Sequence, residues 1–171
     1  MTSTTTERAA AFAQLYESHL AAVINYLTRR APHPDAVDVA AETFTIAWRR
    51  FDEIPTAAEL PWLYGVARRT LANHRRGEGR RSALHDQLRR AWMESDQRLP
   101  AIESTEPLRV ALEALSEDDR DILLLAGVEE LKPAEIAIVL DISPEVARNR
   151  LSRARRRLRS AMDTTNEGGR S

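Results

Sequence analysis

Seven arginines crowd the stretch from residue 148 to 159: Arg148, Arg150, Arg153, Arg155, Arg156, Arg157 and Arg159. Interleaved with them, Ala147, Leu151, Ala154 and Leu158 recur at steps of four, three and four. On a helix these four fall within about 60° of one another, a thin apolar stripe beneath a guanidinium surface. Guanidinium is permanently charged and forks onto phosphate or onto the guanine edge, and the amide of Asn149 can pair in the same way with adenine. The chemistry on offer is recognition of a polyanion, not bond making. Ser143 is a suitable N-cap, with Pro144 and Glu145 fitting the first turn, where a missing N–H costs nothing and a carboxylate meets the positive helix end.

What positions this helix stands just before it. Pro133 to Leu140 reads as a short helix with Ile136, Ala137 and Leu140 inward, and Asp141-Ile142-Ser143 is a three-residue turn. That is a helix-turn-helix, whose second helix presents its first turns to base edges in the major groove. Ser143, Glu145, Val146, Arg148, Asn149, Arg150, Ser152, Arg153, Arg155 and Arg156 are the candidate DNA-facing residues. Arg148, Asn149 and Arg150 are placed to read bases, whereas Arg155 to Arg157 and Arg159, farther along, suit phosphates. The plainer reading is a helical hairpin with a solvated basic face; turn length, cap and arginine density together favour DNA.

A second stretch mixes aromatic rings with cations. Pro61 opens a predicted helix from Trp62 to Arg76, with Leu63, Val66, Ala67 and Leu71 toward a core. Trp62, Tyr64, Arg68, Arg69, Asn73, Arg75 and Arg76 are its candidate contacts, since unpaired bases stack on rings while arginine neutralises phosphate. For Trp62 and Tyr64 the competing reading is an ordinary core aromatic.

The charge distribution agrees with two anion-binding surfaces. The net charge is −1 over 171 residues, but residues 61–81 carry 6 basic and 1 acidic side chains and residues 132–162 carry 8 and 3. Between them residues 82–131 carry 5 basic and 12 acidic. With a Debye length of about 8 Å at physiological salt, these blocks act locally and the total matters little. Cysteine is absent, so neither disulfides nor cysteine-ligated zinc is available, and the four histidines show no metal-binding spacing. No apolar run approaches the ~20 residues of a membrane span, and the Thr-rich start is unlike a signal peptide. A cytoplasmic protein without cofactor, metal or membrane insertion is expected. No nucleophile–base constellation stands out, so an enzyme is not expected.

Taken in order, residues 1–8 are polar and expected to fray. Phe12, Leu15, Tyr16, Leu20, Val23, Ile24 and Leu27 give a helix from Ala9 to Arg30, ended by Pro32 and Pro34. Asp35 can cap the next helix, where Val37, Ala41, Phe44, Trp48 and Phe51 form an inward stripe and Asp38, Glu42, Thr45 and Arg49 the opposite face. Residues 52–59 read as a loop. Residues 81–106, with weakly periodic Leu84, Leu88 and Trp92 and breaks at Pro100 and Pro107, read as a linker. Leu108, Ala111, Leu112 and Leu115 begin a second helical domain, and Ser116 to Asp119 is a capping-box variant opening a helix to Gly127. No strand pattern appears. The expected fold is all-α: two small helical domains, 1–80 and 107–162, joined by a flexible linker, with a disordered tail at 163–171.

Two stretches together carry a family resemblance. Asp38-Val-Ala-Ala-Glu-Thr-Phe-Thr-Ile-Ala-Trp48, followed by Trp62-Leu-Tyr-Gly-Val-Ala-Arg68, resembles region 2 of bacterial RNA polymerase sigma factors. Leu112 to Leu125 and on through Arg150-Leu-Ser-Arg-Ala-Arg155 resembles their region 4, and a short chain with these two regions is similar to the extracytoplasmic-function (ECF) group. The resemblance implies that Asp38, Glu42, Thr45 and Arg49 dock on the clamp helices of the polymerase largest subunit. It implies that the 52–59 loop and the helix after it open the −10 promoter element and capture a flipped base, and that the Ser143 helix reads −35. Core RNA polymerase, promoter DNA and, often in this family, an anti-sigma factor are the implied partners. The sequence departs from the family pattern at Ala41 (usually glutamine), Arg69 (commonly asparagine) and Asp141 (usually glycine).

Two other readings compete. A stand-alone helix-turn-helix repressor or activator explains residues 132–162 but leaves the Asp38–Trp48 and Trp62–Arg76 stretches without a role. A nucleic-acid enzyme using Asp38 and Glu42 as a carboxylate pair lacks a third converging ligand.

Overall fold

Three helices build the first body: α1 (Thr2–Thr28), α2 (His33–Arg49) and α3 (Glu59–Glu78), with a 3₁₀ turn at Phe51–Glu53 between the last two. The computed structural model describes residues 2–78 and 106–168, which fall into two units, Met1–Gln97 and Arg98–Ser171. Among the described residues every regular element is helical, and no helix is long and apolar enough to cross a membrane. The predicted linker lies outside the described residues apart from Glu106, which is already helical.

Val23, Tyr26 and Leu27 of α1, Val39 and Phe44 of α2, and Leu63, Tyr64 and Leu71 of α3 meet in one core. Each large side chain buried there contributes about 1.5–3 kcal/mol. The inward row of α2 differs from the expected stripe. Ala36, Val39, Ala40, Thr43, Phe44 and Ala47 face in, whereas Val37 (43% exposed), Ala41 and Trp48 (38% exposed) face out. Alanines let three helices approach closely, and the larger side chains are turned to the rim. Thr43 survives burial because its hydroxyl donates to the Val39 carbonyl at 2.7 Å.

Both ends of α1 and α2 also depart from expectation. Residues 2–8, expected to fray, are helical, and Arg8 ties them down. Its guanidinium donates to Asp52 Oδ2 at 2.7 Å and to the Trp48 carbonyl at 2.9 Å, and sits over the Trp48 and Phe51 rings. Asp35 is not the N-cap of α2. Pro34 fits the first turn, so the helix starts at His33 after Pro32, and Asp35 lies inside it, 3.7 Å from His74 Nε2.

The second body contains α4 (Glu106–Glu113), α5 (Glu117–Gly127), α6 (Pro133–Leu140) and α7 (Pro144–Gly168). Ala111, Leu112, Leu115, Ile122, Leu125, Leu131, Ile136, Ala137, Val139, Ala147, Leu151 and Ala154 close its core. Arg109 of α4 is gripped by Glu106 and Glu113, which lie one turn to either side. Ser116 Oγ accepts from Asp119 N–H at 3.2 Å, the N-cap expected of α5. In place of the disordered tail expected over 163–171, α7 continues as helix through Gly168, and residues 169–171 lie outside the described residues.

Candidate nucleic-acid interface

The turn between α6 and α7 sets the recognition geometry. Asp141 takes the left-handed conformation (φ 54°, ψ 52°), the position where the family pattern has glycine. Ile142 N–H bonds the Ala137 carbonyl at 3.0 Å, and Asp141 N–H the Ile138 carbonyl at 3.4 Å, closing a Schellman-type stop on α6. One residue later Ser143 Oγ accepts from Val146 N–H at 3.2 Å and starts α7. A stop and a start separated by one residue fix the angle at which the two helices diverge.

Along α7, Ala147, Leu151 and Ala154 are buried, and Leu158 is half-buried. Every predicted contact on this helix is exposed: Glu145, Val146, Arg148, Asn149, Arg150, Ser152, Arg153, Arg155 and Arg156. Opposite the apolar stripe, Glu145, Asn149, Ser152 and Arg156 lie within about 60° of each other. Arg153 Nε folds back on the Asn149 carbonyl at 3.3 Å, and Arg153, Arg156, Arg157 and Ser160 line a shallow dent. Arg157 departs from expectation. It is paired with Asp119 of α5, although its side chain stays 59% exposed.

In the first body the predicted set on α3 splits in two. Trp62, Arg69, Asn73 and Arg76 share one face, within about 60°. Trp62 is half-exposed, with the Arg50 guanidinium 5.6 Å from its ring centroid, and the other three are exposed. Arg76 donates to the Asn73 side-chain oxygen at 2.5 Å. Tyr64 and Arg75 are on the other side. Tyr64 is 3% exposed and stacked on Tyr26, so it is a core aromatic and not a platform for a base. Arg75 donates to the Arg30 carbonyl, which fastens the end of α3 to the end of α1. Arg68 is half-buried between the two faces.

The third predicted face is intact. Asp38, Glu42, Thr45 and Arg49 are all exposed on α2, and Thr45 Oγ1 is satisfied by the Ala41 carbonyl at 2.9 Å. Beside them Val37 and Trp48 expose apolar surface that the expected inward stripe had hidden. The loop from 51 to 59 is held at both ends by α1, through Arg8–Asp52 and through His19 Nε2 at 3.0 Å from Glu59 Oε2. Sequence periodicity offers no signal for either pair, because the partners are forty or more residues apart. Among the described residues no group of three or more His, Asp or Glu is placed to hold a metal ion.

Comparison with known proteins adds the following. The family description "Sigma-70 region 2" matches residues 15–81, and "Sigma-70, region 4" matches residues 105–158. The chain is 31% identical over 146 residues to an ECF RNA polymerase sigma-E factor of Escherichia coli strain K12, covering 78% of this chain and 76% of that one. The same figures hold for the sigma-E factor of Salmonella typhimurium strain LT2. A probable RNA polymerase sigma factor of Xanthomonas campestris is 33% identical over 73% of this chain and 33% of its own. Among solved structures, the sigma factor RpoE of Bartonella quintana, in complex with the anti-sigma factor NepR, shares the fold at a TM-score of 0.60 and 22% identity, covering 90% of this chain and 97% of that one. CnrH in complex with the cytosolic domain of CnrY does so at 0.58 and 23%, covering 91% and 90%.

Proposed function

Because the chain belongs to the sigma-70 family of RNA polymerase sigma factors, as an ECF-type member, we propose that its three exposed faces divide the work of promoter-directed initiation. The α7 face, from Glu145 to Arg156, enters the major groove at −35, with Arg148, Asn149 and Arg150 reading base edges and Arg155, Arg156 and Arg159 meeting phosphates. Trp62, Arg69, Asn73 and Arg76 on α3, with the 52–59 loop, take the opened −10 strand by stacking and charge. Asp38, Glu42, Thr45 and Arg49 on α2, with Val37 and Trp48 beside them, dock on the clamp helices of core polymerase. The units corresponding to 1–80 and 107–162 act as two grips on one promoter, in the cytoplasm and without covalent chemistry. An anti-sigma factor would silence the chain by covering these same exposed faces.

One observation carries the reading: every predicted contact on α7 is solvent-facing while Ala147, Leu151 and Ala154 of its apolar stripe are buried, so the helix is both anchored and open. The test is reconstitution with core polymerase and run-off transcription from genomic fragments. Promoter-selective transcripts are expected, and Glu42→Lys should weaken co-migration with polymerase while leaving the melting temperature unchanged. Stable binding of duplex sites by the free chain, without affinity for polymerase, would instead make it a stand-alone repressor or activator.

A further inference from the structure

Of the seven arginines between 148 and 159, Arg157 alone meets a carboxylate among the described residues. Its Nη1 lies 2.8 and 3.0 Å from the two oxygens of Asp119. Asp119 is well fixed. Its side chain is 13% exposed, its backbone N–H is bound by Ser116 Oγ, and it sits in the first turn of α5, where the helix end is positive. Glu117 and Asp118 stand in the same turn and add negative potential.

Arg157 engages Asp119 through Nη1 and its side chain is 59% exposed, so a phosphate that shared it would stand against that carboxylate, and one that took it would have to displace Asp119. That would leave a largely desolvated carboxylate unpaired, next to a polyanion that repels it. Desolvation and repulsion both oppose the exchange. Around α7, Arg157 shares a flank with Val146, Arg150 and Arg153, while Arg148, Arg155 and Arg159 occupy the other flank, within about 40° of one another.

We infer that Arg157 is a positioning residue: Asp119 holds it, which braces the C-terminal half of α7 against α5 and withholds that charge from the DNA backbone, so the phosphate strand runs along the flank that carries Arg155 and Arg159. The inference rests on α7 being the DNA-binding helix, and it adds which edge of that helix the backbone follows.

The test measures binding of the full chain to a short mixed-sequence duplex by fluorescence anisotropy between about 50 and 200 mM salt. Each phosphate contact contributes about 0.9 to the slope of log K against log salt. Arg155→Ala and Arg159→Ala should each flatten the slope by about that amount, whereas Arg157→Ala should leave it unchanged. Asp119→Asn frees Arg157 and should steepen the slope. Both Arg157→Ala and Asp119→Asn should lower the melting temperature, and the charge exchange Asp119→Arg with Arg157→Asp should restore it. Flattening by Arg157→Ala equal to that of Arg155→Ala overturns the inference, as does a melting temperature that Arg157→Ala does not move. If no arginine substitution on α7 changes the slope, the DNA-binding reading itself fails, and the inference falls with it.

Discussion

The rings of Tyr26 and Tyr64 stack with centroids 4.6 Å apart and planes 20° from parallel, both of them buried. Over Tyr26 lies the Arg30 guanidinium, 3.8 Å from the ring centroid, and Arg30 also donates to the Tyr26 carbonyl at 3.0 Å. This stack joins α1 to α3 and is therefore structural. Tyr64→Ala should cost about 3–5 kcal/mol in stability, the range for emptying a large aromatic site. Trp62→Ala, two residues away and half-exposed, should cost about 1 kcal/mol and instead impair promoter opening. Thermal melts paired with permanganate footprinting at −10 separate the two. Equal melting losses would put Trp62 in the core as well.

Asp141 holds a left-handed conformation without being glycine. Asparagine and aspartate tolerate it better than other residues with a Cβ, but still at a cost of about 1 kcal/mol. Asp141→Gly should raise or leave unchanged the unfolding free energy, by up to about 1 kcal/mol, and Asp141→Val should lower it by about 1–2 kcal/mol. Urea unfolding of the full chain reads both.

Ser143 caps α7 through its hydroxyl oxygen, and aspartate caps equally well. Ser143→Ala should therefore lower stability by about 1 kcal/mol. Ser143→Asp should keep the stability and yet weaken promoter binding, since it adds a negative charge where the helix enters the groove. If Ser143→Asp binds promoter as well as the parent chain does, the first turn of α7 is not near DNA.

Glu106 illustrates a pH effect with a definite sign. Hydrogen bonding by Arg109, then its charge, holds the Glu106 carboxyl below the ordinary 4.5. A lowered folded-state value contributes stability above the unfolded value and loses it as pH falls through the folded one. Glu106→Gln should therefore melt below the parent chain at neutral pH, with the difference shrinking as pH falls through the lowered Glu106 value. Glu106 is fully exposed, so raised salt should shrink the difference.

Much of this was legible before any coordinates. Short-range rules placed the α5 and α7 caps, the three-residue turn from Asp141 to Ser143 and the stripe Ala147–Leu151–Ala154, because each depends on residues within a few positions. Rules of size misled on α2. Stepping by four and three through the largest side chains selected Val37 and Trp48, but three closely packed helices place Ala36, Ala40 and Ala47 inside. Tyr64 was ambiguous for a related reason: an aromatic among arginines has the same local pattern whether it meets a base or Tyr26. Arg8–Asp52, His19–Glu59 and Asp119–Arg157 were beyond reach, since charge partners across helices leave no periodic trace. The polar composition after Met162 does not show how far α7 runs, because the helix carries on from its packed half as far as Gly168.

The most direct measurement of promoter reading is run-off transcription by the reconstituted holoenzyme from a promoter library randomised at −35, comparing the parent chain with Arg150→Ala. The account predicts that Arg150→Ala loses discrimination at one or two −35 positions, by about 1–3 kcal/mol each, with the rest of the preference intact. A loss spread equally over all −35 sequences, or none, would contradict it.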